Sequence, residues 1–227
     1  IAMLSQQMGS LLRSSVDVES VNAEKAFFDQ VGVAAAVART TRNSDTPLMD
    51  TPHTRRMVTM TDYEYADLID SQDKIRMLAD PTSTYARAAA AAMGRAMDDV
   101  IIAAMHGTAK TGASGATSVS FPAAQQIAHG SAGLTIAKLL SAKEILDANS
   151  VDPSIPRYLV ASPKQMSDLL GTTQVTSSDF NTVKSLVQGQ IDSFMGFKFI
   201  SSNRLPHNGT SRQVFAYASD GLKVAIG

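Results

Sequence analysis

The sequence predicts an α+β protein in which one long helix joins an extended, arginine-bearing hairpin to a compact mixed lobe. Three observations carry that prediction. Asp80 to Gly107, DPTSTYARAAAAAMGRAMDDVIIAAMHG, is made of helix-forming residues almost throughout. Val31 to Thr61 holds two strand-like runs around a polar, proline-broken loop. From Leu134 onward, short helical and strand patterns alternate.

Composition bounds the rest. A length of 227 residues suits one large domain or two small ones, and 44% hydrophobic content is enough for a core. A net charge of -1 supplies no general attraction to nucleic acid or acidic membranes. With no cysteine there is no disulfide and no thiolate metal site, whatever the compartment. Aromatics make up 6% and tryptophan is absent, which counts against stacking platforms for bases or sugars. The chain starts at Ile1 rather than Met and stops at Gly227 inside a strand pattern, so a longer parent chain is expected.

In chain order, residues 2–14 place Leu4, Met8, Leu11 and Leu12 on one face of a short amphipathic helix that must dock on something to persist. Residues 15–26, with Val16, Val18 and Val21 in polar surroundings, read as an extended arm. Val31–Thr41 and Arg55–Thr61 read as the strands of a long hairpin. Between them, Asp45-Thr46-Pro47 and Asp50-Thr51-Pro52 force extended geometry and remove two donors, so the loop cannot continue a ladder. Lysine is absent from here until Lys74, whereas Arg39, Arg42, Arg55 and Arg56 are present, and Asp62, Glu64, Asp67, Asp70 and Asp73 follow. The guanidinium fork suits carboxylate pairing across an interface. The segment is therefore either a solvated charged hairpin or an arm reaching a neighbouring subunit, with Arg39, Arg42, Arg55, Arg56, Asp45 and Asp50 as the candidate contacts.

Tyr63–Leu78 is predicted helical, with Tyr65, Leu68, Ile69 and Ile75 as its apolar positions. It leads into the long helix, where Asp80 is the N-cap, Pro81 sits at N1, and Gly107 supplies a left-handed C-cap. About 26 residues at 1.5 Å give a rod of roughly 39 Å. Gly94 costs about 1 kcal/mol relative to alanine in mid-helix, so it marks a close contact or a slight bend. Arg87, Arg95, Asp98 and Asp99 rule out a membrane span, and the two aspartates read as a solvated or salt-bridged face. Thr108–Gly133, rich in Gly, Ala, Ser and Thr, is predicted to be an irregular connection between lobes.

Beyond it, Thr135–Asn149 is a helix with Ile136, Leu139, Leu140, Ala142 and Leu146 on its stripe, and Tyr158–Ala161 is a strand. Ser162-Pro163-Lys164-Gln165 is a capping box opening a helix that ends at Gly171. A short helix is expected at Phe180–Gln188, and a strand at Phe197–Ser201 after a Met195-Gly196 turn. Val214–Ala218 and Leu222–Ile226 are expected to form a hairpin through Asp220-Gly221.

A search for chemistry leaves little. His53, His106, His129 and His207 are scattered without metal-ligand spacing. Gly107–Gly112 lacks the order of a phosphate loop, and Ser114 has the wrong spacing for a nucleophile elbow. No dinucleotide fingerprint follows a strand. No catalytic, cofactor or metal residue is nominated, and the dispersed basic residues give no nucleic-acid patch.

Several motifs in one order do point somewhere. Asp45-Thr46-Pro47-Leu48, Asp50-Thr51-Pro52-His53 and Arg55-Arg56 resemble the major capsid proteins of tailed bacteriophages. So do Asp62-Tyr63-Glu64-Tyr65-Ala66-Asp67-Leu68-Ile69-Asp70, Met93-Gly94-Arg95-Ala96-Met97-Asp98, Phe194-Met195-Gly196-Phe197 and Ser202-Asn203-Arg204-Leu205-Pro206. The resemblance runs from about Asp29 to Gly227.

It implies the Hong Kong 97-type capsid fold. Residues 1–26 would be the N-terminal arm, 27–62 the E-loop hairpin, 63–133 the peripheral domain with spine helix 81–106, and 134–227 the axial domain, with the C-terminal return strands missing. It also implies a non-enzymatic virion protein that self-assembles as hexamers and pentamers into an icosahedral shell. Scaffolding, portal and decoration proteins are the expected partners, with double-stranded DNA held non-specifically on the inner face, no cofactor and no membrane. Assembly would take place in the host cytoplasm. Some members crosslink through an E-loop lysine, which is lacking between 27 and 62, so a non-crosslinked shell is expected. An encapsulin-like compartment is the alternative within the fold; a soluble α+β enzyme and a nucleic-acid-binding module are the alternatives outside it.

Overall fold

A computed structural model describes residues 5–38, 40–42, 45, 48–68, 82–171, 193–209 and 211–227. The strands are β1 (Asp17–Ser20), β2 (Lys25–Val31), β3 (His53–Thr59), β4 (Ala109–Thr111), β5 (Thr117–Val119) and β6 (Arg157–Ala161). They continue with β7 (Ser193–Phe194), β8 (Phe197–Ser201), β9 (His207–Asn208), β10 (Ser211–Arg212), β11 (Phe215–Ala218) and β12 (Lys223–Ile226). The described helices are α1 (Thr82–His106), α2 (Ile136–Ala148) and α3 (Pro163–Leu170). The chain divides into two compact units: Ile1–Glu19 with Asp62–His106 and Pro122–Val224, and Ser20–Thr61 with Gly107–Phe121 and Ala225–Gly227.

The smaller unit is an antiparallel sheet of order β2-β3-β4-β5. Its long ladder runs from Lys25↔Thr59 to Val31↔His53. The expected strand Val31–Thr41 is therefore displaced: pairing begins at Lys25 and stops at Val31. Aromatic Phe27 and Phe28 favour the pleated surface, whereas alanine-rich 32–38 does not. Gly32 closes the ladder, donating its N–H to Pro52 O at 2.7 Å.

Part of the predicted irregular connection is also strand. Lys110 pairs with Met57 and Ser118, and the turn between β4 and β5 uses Gly112 and Gly115 at φ 90° and 69°. A Cβ at Gly115 would collide with the Met57 side chain, so this turn requires glycine.

The larger unit centres on a sheet of order β11-β6-β8-β7, in which β6 and β8 run parallel, from Arg157↔Phe197 to Ala161↔Ser201. Flanked on both sides, β6 buries Leu159, Val160 and Ala161. Leu134, Leu139, Leu159, Ala161, Leu169 and Phe197 form one core. Of the α2 stripe, Leu139 is buried and Leu140 is half exposed. Thr135 caps α2, and Ser162 with Gln165 forms the reciprocal box at α3, with Pro163 in its first turn and Gly171 at its end. Met195 (φ 54°) and Gly196 (φ 86°) make the tight turn from β7 to β8.

A second core gathers Leu12, Val16, Ile101, Ile102, Met105, Val160, Leu205 and Tyr217. On α1 its members, with Asp98, stand at i, i+3, i+4 and i+7, one helical face. The helix ends at His106. Among the described residues the glycines with positive φ are Gly112, Gly115, Gly130, Gly196 and Gly209, so the left-handed cap expected at Gly107 is absent.

Other expectations are corrected as well. Residues 5–12 are not helical, and a short 3-10 turn follows at Arg13–Ser15; Leu12 is buried while Met8 and Leu11 are exposed. Residues 63–68 are not helical, and Leu68 is exposed. The remainder of that predicted helix, Asp80, Pro81 and Phe180–Gln188 lie outside the described residues. The C-terminal hairpin does not form. Ser219–Gly221 is a 3-10 turn, β11 pairs with β6, and β12 pairs with β1. Asp17 N–H donates to Leu222 O at 3.0 Å, and Lys223 reaches both Asp17 and Glu19. Among the described residues no helix is long and apolar enough to cross a membrane.

Tyr217 tests the second core. Its hydroxyl lies 2.6 Å from Ser15 Oγ, and burial, the largest cause, pushes its pKa up to about 12. The fold favours the neutral phenol, so its contribution to stability is complete below the unfolded value near 10 and is lost as pH rises towards 12. Absorbance titration should show one tyrosine ionising well above the others, and Tyr217→Phe should remove that step.

Candidate assembly interface

Successive side chains on a strand point to opposite faces, so the adjacent arginines of β3 meet different surroundings. Arg55 stands opposite Asp29 in the ladder. Its Nε donates to Oδ1 at 2.5 Å and its Nη2 to Oδ2 at 3.0 Å, a two-pronged pair. The guanidinium also lies over the Phe27 ring, 5.6 Å from the centroid. The hydrogen bonds from Arg55, the largest cause, hold the Asp29 carboxyl below its usual pKa, and the same bonds raise that of Arg55. Both groups are well exposed, so the pair fixes geometry more than it adds stability.

Arg56, on the other face, is exposed and has no ion-pair partner among the described residues. Arg42, Asp45 and Asp50 are likewise exposed and unpaired among the described residues. Arg39 lies outside them. Among the described candidates, none pairs with another. Arg55 is taken by Asp29, which the sequence reading did not nominate because it placed the strand too late. Correct registration of the Phe27-Phe28 run would have revealed it.

Around these charges the hairpin is apolar and uncovered. Residues 31–38, VGVAAAVA, are all exposed, with Val33 at 91%, and Leu48 is fully exposed.

A second locus was missed altogether. Asp98, predicted to lie on a solvated or salt-bridged face, is 1% exposed. Its carboxylate accepts from Gln7 Nε2 (2.6 Å), Ser10 Oγ (2.5 Å), Leu11 N (3.1 Å) and Leu12 N (3.2 Å). One turn earlier, a Cβ at Gly94 would stand 2.6 Å from the backbone carbon of Gly9, so only glycine lets the arm lie this close. Arg95 donates to Gln6 Oε1 at 2.7 Å. Asp99 does face outward and pairs with Arg204. The available signal was Gly94 and Asp98 at i and i+4, a gap and an acceptor on one face. Among the described residues no cluster of His, Asp or Glu could hold a metal ion.

With this geometry established, comparison with known proteins identifies the class. The fold matches a structure from Mycobacterium phage Che8 at TM-score 0.68 and 16% identity, over 99% of this chain and 80% of that one. It matches the capsid structure of cyanophage P-SCSP1u at TM-score 0.67 and 17% identity, over 94% and 69%. The mature capsid of bacteriophage PhiM1 matches at TM-score 0.62 and 16% identity, over 97% and 75%. The fold is thus that of tailed-phage capsid subunits. The family model for phage capsid protein covers residues 1–227, and the chain belongs to that family. It is a major capsid protein, a structural component of the virion that forms its shell. No curated protein matches it.

Asp98→Ala would strand the Leu11 and Leu12 N–H groups without their acceptor, at a cost of about 3 kcal/mol. Amide exchange at residues 7–12 should accelerate sharply while α2 and α3 stay protected. Unchanged protection there would show that Asp98 does not hold the arm.

Proposed function

We propose that copies of this chain associate as hexamers and pentamers through the β2–β3 hairpin, which lies over the neighbouring subunit. In this reading, residues 1–26 are an arm, 27–62 the reaching hairpin, 63–133 a peripheral domain on α1, and 134–227 the lobe at the capsomer centre. The supporting observation is the uncovered apolar run 31–38 together with Leu48. A stretch of this kind marks a surface that is covered in the working state. Arg56 and Arg42 supply the polar part of the contact, while Arg55 remains with Asp29 in its own chain. The protein works by non-covalent association and not by catalysis. Assembly takes place in the host cytoplasm, scaffolding, portal and decoration proteins are candidate partners, and the shell encloses double-stranded DNA without reading its sequence.

Arg56→Glu should give folded subunits that fail to build shells, raising the concentration needed for assembly by about tenfold or more. Negative-stain microscopy beside size-exclusion chromatography reads this directly, and normal particles from the variant would refute the hairpin's role. Because no lysine lies between Lys25 and Lys74, purified shells boiled in detergent should run as monomer. A ladder of covalent multimers would contradict the non-covalent mechanism.

A further inference from the structure

The smaller unit demonstrates how this chain holds an arginine. Phe27 and Asp29, two residues apart on one face of β2, offer a ring and a carboxylate together, and Arg55 engages both. The larger unit carries the same pair of groups at the same spacing. Tyr65 and Asp67 lie in a segment without helix, and the Tyr65 hydroxyl is 3.5 Å from Asp67 Oδ2, which puts ring and carboxylate on one side. Both are exposed, as are Asp62, Tyr63, Glu64 and Leu68 around them. Among the described residues no cation pairs with Asp67 and no guanidinium covers the Tyr65 ring.

Residues 61–68 hold three carboxylates and no basic group. The hairpin of the same chain presents the complement, since Arg56 is exposed and unpaired among the described residues. We propose that Tyr65 and Asp67 of one copy receive the Arg56 guanidinium of a second copy, in the arrangement that Phe27 and Asp29 make with Arg55. This rests on the hairpin reading above and names the surface that receives it. A ring beneath the guanidinium and a carboxylate at its edge select arginine over lysine, because only the planar fork meets both at once. Tyr63 and Leu68, neighbours of Tyr65 and Asp67 in the sequence, are exposed and add apolar surface for the valines and alanines of the hairpin.

The test is a charge swap in the whole chain. Arg56→Asp alone and Asp67→Arg alone should each raise the concentration needed for shell formation about tenfold, and the double variant should return it to within about threefold of the parent. Tyr65→Ala should weaken assembly about fivefold while Tyr65→Phe, which keeps the ring, behaves as the parent. Circular dichroism and elution volume check each variant's fold, and if Asp67→Arg does not fold, the Tyr65 pair decides. Normal assembly of Arg56→Asp would refute the hairpin reading itself. Loss of assembly in Arg56→Asp, with Asp67→Arg or Tyr65→Ala assembling normally or the double variant unrescued, would leave the hairpin reading standing and overturn this acceptor.

Discussion

A single carboxylate decides where the N-terminal arm goes. A buried ionised group is tolerable only when its acceptor positions are filled, and Asp98 has them filled by four donors, all from residues 7–12. Two of those donors are backbone N–H groups, so the requirement falls on the path of the chain and not only on its side chains. Gly94 removes the steric obstacle one turn away, where the arm's own Gly9 passes. The same docking drops Leu12 and Val16 against Ile101, Ile102 and Met105. It also explains why the arm is not the amphipathic helix its spacing suggests: a helix would tie up the Leu11 and Leu12 N–H groups in its own ladder. A specific long-range acceptor outcompetes the local pattern, and the apolar spacing of Met8 and Leu11 is left exposed as a result.

Where local rules are sufficient, the sequence is readable. The Ser162–Gln165 box, the Met195-Gly196 turn and the long alanine-rich helix each follow from residues within a few positions of one another, and each is found in the structure. Several of the failures share one cause. The Asp220-Gly221 hairpin is a sound local signal, yet β12 pairs with β1, some two hundred residues earlier, and β11 with β6. The strands at Ala109–Thr111 and Thr117–Val119 are three residues each, too short to stand out from a Gly/Ala/Ser/Thr-rich stretch, and they form because β3 offers β4 an edge and β4 in turn offers one to β5. Asp98 reads as a surface group because its partners lie some ninety positions away. Pairing between distant segments leaves no periodic trace in either of them.

The arginine pair illustrates the same limit for the candidate interface. Arginine in place of lysine suits carboxylate pairing across an interface, but the pair that Arg55 makes is with Asp29 of its own chain. Which carboxylate, and on which chain, depended on register. A displacement of several residues in the assigned start of β2 hid Asp29, and it also made Arg55 and Arg56 look equivalent. In the ladder they are opposites: one faces its cross-strand acid, the other faces away.

That asymmetry bears on how a shell-forming chain stays usable before assembly. An uncovered apolar run of valines and alanines exposes less surface per residue than leucines or phenylalanines would, so each subunit meets water at modest cost until it finds a neighbour. Small side chains, however, define register poorly, because alanine against alanine fits almost as well one step along as in place. On the reading proposed here, a charge with a directional acceptor would supply the discrimination that the alanines lack. Arg55, held by its own Asp29, would keep the strand pair stiff enough to deliver Arg56 at a defined position. The energy of association would then come from many weak apolar contacts and its specificity from a few polar ones, a division suited to repeated contacts that must close into a shell with small changes of angle.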